Sequence, residues 1–388
     1  LNTSSEDSYN QIEPWIQWSS VHTCQSYIQH KIFRLGDIVN YTGEQIFEKI
    51  ERAGYFVGCV SPMNASNKLK NPAYFIPDPW TNTACDSSFT SRTVHLAIKQ
   101  AVNDNSEGKI NISTYIRLGW VLLTKTQIKN WPTYAKLYLK REKRWNKALF
   151  LDLLLTDIFI SLKKKNRENF SCLFLNAFAH IQHHYFLNSR MYRGELRNST
   201  DYISHRDDPI LDAVELYNKI IYDLLEKFDE KFLFATGLRQ VPVEKKIVYY
   251  RLKRHEEFLK KIGIKHFEIE PRMTRDFLIK FKNESAYNDA LNILSSINYQ
   301  GQRLFGEIEE RNMSLFVTLT YSKLLNKNDT LLVNNKELCL SDEFVFVAIK
   351  NAHHDQLGYV FTNFKPQRLK SGIHVSGIGD EILEYFGI

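Results

Sequence analysis

The sequence lacks the features of several common protein classes. No run approaches the roughly 18 apolar residues that cross a bilayer, and the N-terminus has neither the basic nor the apolar region of a signal peptide. The cysteines are odd in number, scattered and never in a CxxC pair, so we expect neither a disulfide framework nor a structural zinc site. They are Cys24, Cys59, Cys85, Cys172 and Cys339. We therefore expect a cytoplasmic protein with no membrane partner.

Phosphate-binding loops are also missing, because neither GxGxxG nor GxxxxGK[ST] occurs, and no repeat or low-complexity segment is visible. The net charge of +7 and the 13% aromatic residues suit nucleic-acid binding, yet the basic residues are spread out and no recognised nucleic-acid motif accompanies them. We expect no nucleic-acid partner. The basic clusters at 136–147 and 163–168 indicate solvated helix faces, although the same charges would attract a small anionic substrate.

What the sequence does contain is the pattern of an α/β protein. The segment GEQIFEKIERAG at 43–54 predicts an amphipathic helix ended by Gly54, and YFVGCVSP at 55–62 predicts the buried strand after it. This order of helix, glycine and strand recurs, which indicates a doubly wound, mostly parallel sheet with helices on both faces.

The pattern changes along the 388 residues, which suggests a core with insertions. We predict core segments, a helical cap and a small insertion made of two strands, a helix and two strands. The predicted parts are core at 1–90, helical cap at 91–165, core at 166–264, α+β insertion at 265–325 and core at 326–388. No element is predicted in residues 1–10, and a helix is predicted over 244–264.

The stretch from Asn169 to Phe186, NFSCLFLNAFAHIQHHYF, is the most informative part of the chain. Its first half predicts a buried strand, Phe170 to Leu175, and a helix near Asn176 would put Asn176, His180 and His183 on one face. Open α/β sheets bind ligands at this end of their strands. The alternative is that the histidines are hydrogen-bonded core or interface residues.

Three other segments carry polar groups where a strand ends or a helix begins. Two follow predicted strands, Thr236 to Gln240 and Ala352 to Asp355, and the third contains Glu13 just before Pro14. A carboxylate or an anionic ligand is favoured at such a helix start, although Glu13 could equally be an N-cap beside packed tryptophans. We expect these segments to converge at one end of the sheet.

Three of these stretches resemble motifs of the alkaline phosphatase superfamily, in its branch of type I phosphodiesterases and nucleotide pyrophosphatases. WSSVHTCQSYIQH, from Trp18 to His30, resembles the segment after the family's nucleophile. Asn176 to His180 resembles its D-x-x-G-H metal motif, and AHHDQLG, from Ala352 to Gly358, its late G-x-H-x-x-x-G, with His354 as the metal-binding histidine. The resemblance implies a cleft that handles a phosphate or sulfate ester.

The departures from the family imply a reduced metal site. Asn176 stands for an aspartate, and Ala235 to Leu238 stand where S-D-H-G is expected. Pro14, beside Glu13, occupies the place of the nucleophile, and the family's first aspartate would precede Leu1. Two divalent cations need several carboxylates, so we expect one divalent metal (Zn, Mn or Mg) rather than two.

Two functions remain open at this point. The first is a divergent hydrolase or transferase acting on a phosphate or sulfate ester, and the second is an inactive relative that binds an anionic sugar or nucleotide. A mononuclear iron or zinc site built on the histidine pairs is a further alternative. The predicted catalytic residues, which are also the predicted metal ligands, are Glu13, His180 and His354. The predicted substrate-binding residues are Gln17, Asn176, His183, Arg239, Gln240 and His353.

Overall fold

The computed structural model describes residues 1–8, 11–103, 111–140, 142–271, 275–333 and 336–388. The chain divides into two compact units. Unit 1 comprises Leu1–Arg193, Ile203–Pro242 and Ala352–Ile388, and unit 2 comprises Gly194–Tyr202 and Val243–Asn351. All of the predicted site residues belong to unit 1.

The strands and helices follow one another along both units. The strands are β1 Asn2–Ser4, β2 Val57–Val60, β3 Tyr74–Ile76, β4 Phe170–Leu173, β5 Leu233–Thr236, β6 Arg239–Leu252, β7 Phe267–Pro271, β8 Asp276–Phe281, β9 Asn298–Tyr299, β10 Gln302–Arg303, β11 Glu307–Arg311, β12 Ser314–Thr318, β13 Thr330–Val333, β14 Lys336–Cys339, β15 Phe344–Asp355, β16 Gly358–Thr362 and β17 Ile373–His374. The helices are α1 Pro14–Thr23, α2 Tyr27–His30, α3 Ile46–Arg52, α4 Phe89–Asn103, α5 Ile112–Lys125, α6 Trp131–Leu139, α7 Asn146–Asn166, α8 Ala177–Tyr185, α9 Pro209–Lys227, α10 His255–Lys261, α11 Glu284–Ser296, α12 Leu340–Glu343 and α13 Gly377–Tyr385.

Unit 1 contains a parallel sheet in the order β3-β2-β4, which confirms the strands predicted near 55–62 and 170–175. Helix α3, predicted from its amphipathic pattern, covers this sheet through Ile46, Phe47 and Ile50. The capping box of Gln45 and Glu48 starts the helix, because each residue satisfies a backbone N–H that the first turn leaves unpaired. An α/β fold with parallel strands is therefore confirmed.

A second sheet of unit 1 is mixed, with the order β17-β1-β16-β5. Strand β1 runs parallel to β17 and antiparallel to β16, and β16 runs antiparallel to β5. Strand β1 was not predicted in residues 1–10, because its partners lie more than 350 residues away in the chain. The prediction of a mostly parallel sheet does not describe this second sheet.

This antiparallel pairing decides what lies at one edge of the mixed sheet. Tyr359, near the start of β16, pairs with Thr236 at the end of β5. The residues that follow β5 and those that precede β16 consequently approach each other. Arg239 and Asp355 meet there, with Nε and Oδ1 2.8 Å apart.

Two helices of unit 1 begin where the sequence predicts. Helix α9 has Asp208 as its N-cap, with the carboxylate accepting from the amide of Leu211, and Pro209 at its first position. Helix α8 follows Asn176 directly. Among the described residues, no helix is long and apolar enough to cross a membrane.

The helix predicted over 244–264 is wrong in its first half, because Arg239–Leu252 is strand β6 and only His255–Lys261 is helical. Val248, Tyr250 and Leu252 are buried at every second position, which is the period of a strand.

Unit 2 has its own core around an antiparallel sheet in the order β11-β12-β8-β7, with α11 between β8 and the later strands. The predicted succession of two strands, a helix and two strands is present. Tyr287 and Leu294 of α11 are buried in the same core as Phe277 and Leu315.

Candidate functional site

The candidate site is a row of three contacting ionisable side chains that come from distant parts of unit 1. Glu13 comes from the start of α1, His183 from α8 and His354 from the end of β15. The Nε2 atoms of His183 and His354 are 2.9 Å apart. Oε2 of Glu13 lies 3.3 Å from Nδ1 of His354.

Glu13 reaches His354 because helix capping does not occupy its carboxylate. It has the extended backbone of an N-cap residue, but its side chain makes no capping hydrogen bond. Pro14 follows at the first helical position, where a missing N–H costs nothing. The Glu13 carboxylate is about one-third exposed, whereas the side chain of His354 is 13% exposed.

A backbone contact determines which ring nitrogen of His183 carries its hydrogen. Its Nδ1 lies 3.3 Å from the backbone oxygen of Ala352, two residues before His354. A carbonyl oxygen only accepts, so this Nδ1 carries a hydrogen and the Nε2 of the same neutral ring is an acceptor. Nε2 of His354 then donates to His183.

Counting protons shows what the arrangement holds. Two neutral imidazoles carry two N–H hydrogens, which serve the contacts of His183 with Ala352 and with His354. Nδ1 of His354, the nitrogen left without a hydrogen, is the atom that lies 3.3 Å from Oε2 of Glu13. A proton taken up there would be shared between an imidazole and a carboxylate, which is an arrangement suited to general acid–base chemistry.

His180 is not one of these three contacting side chains. Its ring lies 4.7 Å from that of His184, one turn further along α8, whereas the ring of His183 lies 4.7 Å from that of His354. The structure therefore brings together Glu13, His183 and His354 and turns His180 toward His184. His353 precedes His354 on β15, so its side chain leaves the strand on the opposite side.

The start of α8, predicted to face a ligand through Asn176, is occupied by a buried carboxylate. Oxygens of Asp152 accept from the amides of Asn176 (3.3 Å) and Ala177 (2.7 Å), and the hydroxyl of Tyr217 also donates to Asp152. Burial raises the pKa of Asp152 to about 6 even though these donors lower it. The backbone donors that would hold an external anion there are thus used within the protein.

Of the two predicted glutamines, Gln17 is buried and Gln240 is partly buried, and each has one amide oxygen unsatisfied. Nε2 of Gln17 donates to the backbone oxygen of Gln11 at 2.7 Å, and Nε2 of Gln240 donates to that of Ala179 at 3.0 Å. Oε1 of each is buried without a hydrogen-bond partner. Both groups thus have an acceptor to offer, which suits a water or hydroxyl donor better than an anion.

Arg239, predicted to hold an anion, already has an acidic partner. Its hydrogen bond to Asp355 lowers the pKa of that carboxyl. The side chains of both residues are about one-third exposed or more, and an exposed pair of this kind is weak. An incoming anion would compete with Asp355 for the guanidinium.

These side chains do not fit the predicted metal site. Among the residues that the structure describes, no group of three or more His, Cys, Asp or Glu could hold a metal ion. The facing Nε2 atoms of His183 and His354 are at hydrogen-bond distance, so neither lone pair points at a shared cation.

The comparisons with known proteins give structural likenesses only. No family model matches the chain, and no curated protein matches it. Phosphonoacetate hydrolase from Sinorhizobium meliloti 1021, in complex with phosphonoacetate, is similar with a TM-score of 0.41 and 10% identity, over 98% of this chain and 86% of that one. Its complex with phosphonoformate gives 0.40 and 9% over the same shares.

Murine ectonucleotide pyrophosphatase/phosphodiesterase 5 is similar with a TM-score of 0.43 and 10% identity, over 100% of this chain and 87% of that one. Its name is that of the branch which the sequence motifs resemble.

Asp152 and Tyr217 are the site-supporting residues that the sequence analysis missed. The signal for Asp152 is present in LFLDLLLTDIF, where Asp152 and Asp157 interrupt an apolar run. A carboxylate in such a run is seldom buried without partners. Nothing in the sequence identifies Tyr217 as one of them.

Proposed function

We propose that this protein is a hydrolase or transferase that acts on a phosphate or sulfate ester of a small molecule, with Glu13, His354 and His183 as its proton-transfer unit. The observation that supports this most directly is the 2.9 Å contact between the two Nε2 atoms, continued by Glu13 at 3.3 Å. The proposal includes a doubly wound core and a cytoplasmic location, as the sequence predicts.

The chemistry requires one proton to leave a nucleophile and another to reach a leaving group. In hydrolysis, a water oxygen forms a bond to phosphorus or sulfur while the ester bond to the alcohol oxygen breaks. Glu13, which is more exposed than His354, takes the proton from water, and the protonated imidazole pair gives one to the departing oxygen. The proton then returns from Glu13 through His354.

The same three residues would also contribute to binding the anionic ester. A protonated imidazole attracts an anion strongly where water is partly excluded, and His354 is mostly buried. Gln240 would accept a hydrogen bond from a hydroxyl of the substrate, since its buried Oε1 has no partner. This feature favours an alcohol portion rich in hydroxyls, such as a sugar or nucleotide.

The test is a panel of phosphate and sulfate esters, assayed with and without a chelator. We expect turnover that the chelator leaves unchanged and that falls at least about a hundredfold in Glu13→Gln, His183→Ala and His354→Ala. His205→Ala is the matched control, because this histidine of unit 1 is exposed. His180→Ala tests the sequence prediction that His180 is catalytic. Full activity of His354→Ala would contradict the proposal.

A second candidate function is the binding of an anionic sugar or nucleotide without turnover. The observation that favours it is the pairing of Arg239 with Asp355, which leaves the guanidinium less able to stabilise a charged transition state. Calorimetric titration with nucleotides and sugar phosphates, alongside the ester panel, separates the two. Binding that His354→Ala weakens, with no turnover of any ester, would favour this candidate.

A further inference from the structure

Residues 111–140 of unit 1 present an unusual number of large apolar side chains to solvent. They belong to α5, to α6 and to the 3-10 helix Ile128–Asn130 between them. We call the following set the outer apolar surface: Ile112, Tyr115, Ile116, Leu123, Ile128, Trp131, Tyr138 and Leu139. Four of its members, Ile112, Leu123, Ile128 and Leu139, are 72–79% exposed. Single exposed apolar residues are ordinary, but a set concentrated in thirty residues indicates an interaction surface.

Helix α5 is apolar on two opposite sides. Its inner side is buried through Thr114 and Val121, and α5 packs against α4 and α7. At 100° per residue, Ile112, Ile116 and Leu123 form a stripe on the other side, with Tyr115 beside it. A helix that is apolar on both sides is normally covered on both.

The segment after α5 is held in an orientation that turns its apolar side chains outward. Gln127 and Asn130 donate to the carboxylate of Asp157 on α7, at 2.7 and 2.8 Å, and the hydroxyl of Tyr134 donates to it at 3.0 Å. These residues face the protein. Ile128 and Trp131, which lie between them, are 78% and 45% exposed.

Charge indicates what would cover this surface. Residues 111–140 contain five lysines and arginines and no aspartate or glutamate. The wider segment 91–165 has fifteen basic and five acidic residues, whereas the rest of the chain has 36 basic and 39 acidic. Two of those five acids, Asp152 and Asp157, are buried. The segment thus carries the whole positive excess of the protein.

Two other occupants fit the outer apolar surface poorly, one for lack of apolar residues and one because of its charge. The adjoining residues 104–110, DNSEGKI, contain one apolar residue, which is too few to cover the stripe of α5. A second copy would bring an equally basic surface against the first, so like charges would oppose the contact.

We propose that the outer apolar surface binds the face of an anionic lipid bilayer. Apolar side chains that enter the interface, tryptophan and tyrosine beside them, and nearby lysines are what peripheral binding to anionic lipid requires. Lys129 is paired with Asp223, so the lysines of the proposal are Lys136 and Lys140. Lys136 lies one turn before Leu139 on α6, and Lys140 follows Leu139 directly, so the ammonium groups can reach phosphates while the aliphatic stems lie on lipid. This proposal differs from the prediction of no membrane partner. That prediction rested on the lack of a spanning segment.

The test is co-sedimentation of the full chain with vesicles of phosphatidylcholine, alone or with about 30% phosphatidylglycerol. We expect binding to the anionic vesicles only, and weaker binding as salt rises from about 50 to about 500 mM. The double variant Ile116→Asp/Leu123→Asp should bind at least about tenfold more weakly, because charged groups replace two side chains that enter the lipid. Both positions are exposed, so the fold is expected to persist, and circular dichroism checks this.

The matched control is Met191→Asp/Leu332→Asp, which changes two equally exposed apolar residues outside this surface and should bind like the wild type. A second variant, Lys136→Gln/Lys140→Gln, should lose part of the binding and of its salt dependence. Equal binding by the wild type and the Ile116/Leu123 variant would overturn the proposal. So would self-association, or capture of an acidic protein, through this surface with no binding to anionic vesicles.

Discussion

At the scale of single residues, buried polar groups stabilise the elements of unit 1 and do not themselves belong to the candidate site. The buried carboxylate of Asp152 satisfies the first backbone amides of α8, the helix that carries His183. His22 is buried beside Phe47 and makes a 3.0 Å contact from Nε2 to the backbone oxygen of Met63. Burial raises the pKa of Asp152 to about 6 and lowers that of His22 to about 4, so between these values both groups are neutral where exposed counterparts would be charged.

Asp152→Asn tests the cost of that buried carboxyl. Burial raises its pKa from 3.8 to about 6, so its stabilising contribution is complete below about pH 4 and is lost as pH rises through about 6. The stability of the wild type relative to the variant should fall by about 2 kcal/mol between pH 4 and 7. Urea unfolding at several pH values measures it. The exposed Asp229→Asn is the control, and a difference for Asp152→Asn that does not vary with pH would contradict this account.

His22→Gln tests the opposite sign. Burial lowers the pKa of His22 from 6.5 to about 4, so its contribution is present above about pH 6.5 and is lost as pH falls through about 4. The variant keeps a donor for Met63 but no titrating group. We expect the wild type to lose about 3 kcal/mol relative to the variant between pH 7 and 4. His205→Gln, an exposed change, should show no such trend in the same unfolding series.

At the scale of elements, the site depends on how closely the mixed sheet of unit 1 is packed. Gly358 starts β16, a few residues after His354, between β1 and β5. A Cβ atom at this position would lie 2.5 Å from the backbone oxygen of Thr236 and 2.5 Å from Oγ1 of Thr3. The strands cannot keep their spacing if a side chain is added here.

Gly358→Ala should therefore lower the free energy of unfolding by about 1–3 kcal/mol, because backbone must move to admit the methyl group. Gly119→Ala is the matched control. Gly119 lies inside α5 with nothing within 4 Å of an added Cβ, so that change should stabilise the protein by about 0.5–1 kcal/mol. Thermal unfolding compares the two, and equal effects would refute the close packing of β16.

Elements with a clear local period were predictable, whereas their partners were not. Nearby residues alone predict the start of α9 at Asp208 and Pro209. They also predict the strand before α8. In β6, the strand period of Val248, Tyr250 and Leu252 lay among lysines and glutamates that favour a helix, and the helix was wrongly preferred. The signal was local, but it was outweighed by composition.

At the scale of the whole molecule, the residues of the candidate site all belong to one of the two compact units. Glu13, His183 and His354 all lie in unit 1, although 341 positions separate the first from the last. The sequence predicted that Glu13 and His354 would converge, because both lie where a strand ends or a helix begins. It did not predict that His183, rather than His180, would complete the contact.

That difference has a physical reason. The spacing of Asn176, His180 and His183 assigns all of them to one side of α8, but the start of the helix is fixed by Asp152. His354 lies at the end of β15, the strand that pairs with β6. These contacts decide which histidine of α8 meets His354. Helical spacing in a single sequence contains no record of them.

The most direct test of the proton-transfer unit is nitrogen-15 NMR of the histidine rings near neutral pH, assigned with His183→Ala and His354→Ala. We expect Nδ1 of His183 to be protonated and a scalar coupling between its Nε2 and that of His354, which requires a hydrogen shared across the 2.9 Å contact. Glu13→Gln should leave that coupling unchanged, because Glu13 lies beside Nδ1 of His354 and not beside its Nε2. Two uncoupled rings with independent titrations, or shifts showing that both Nε2 atoms bind a metal, would contradict the account.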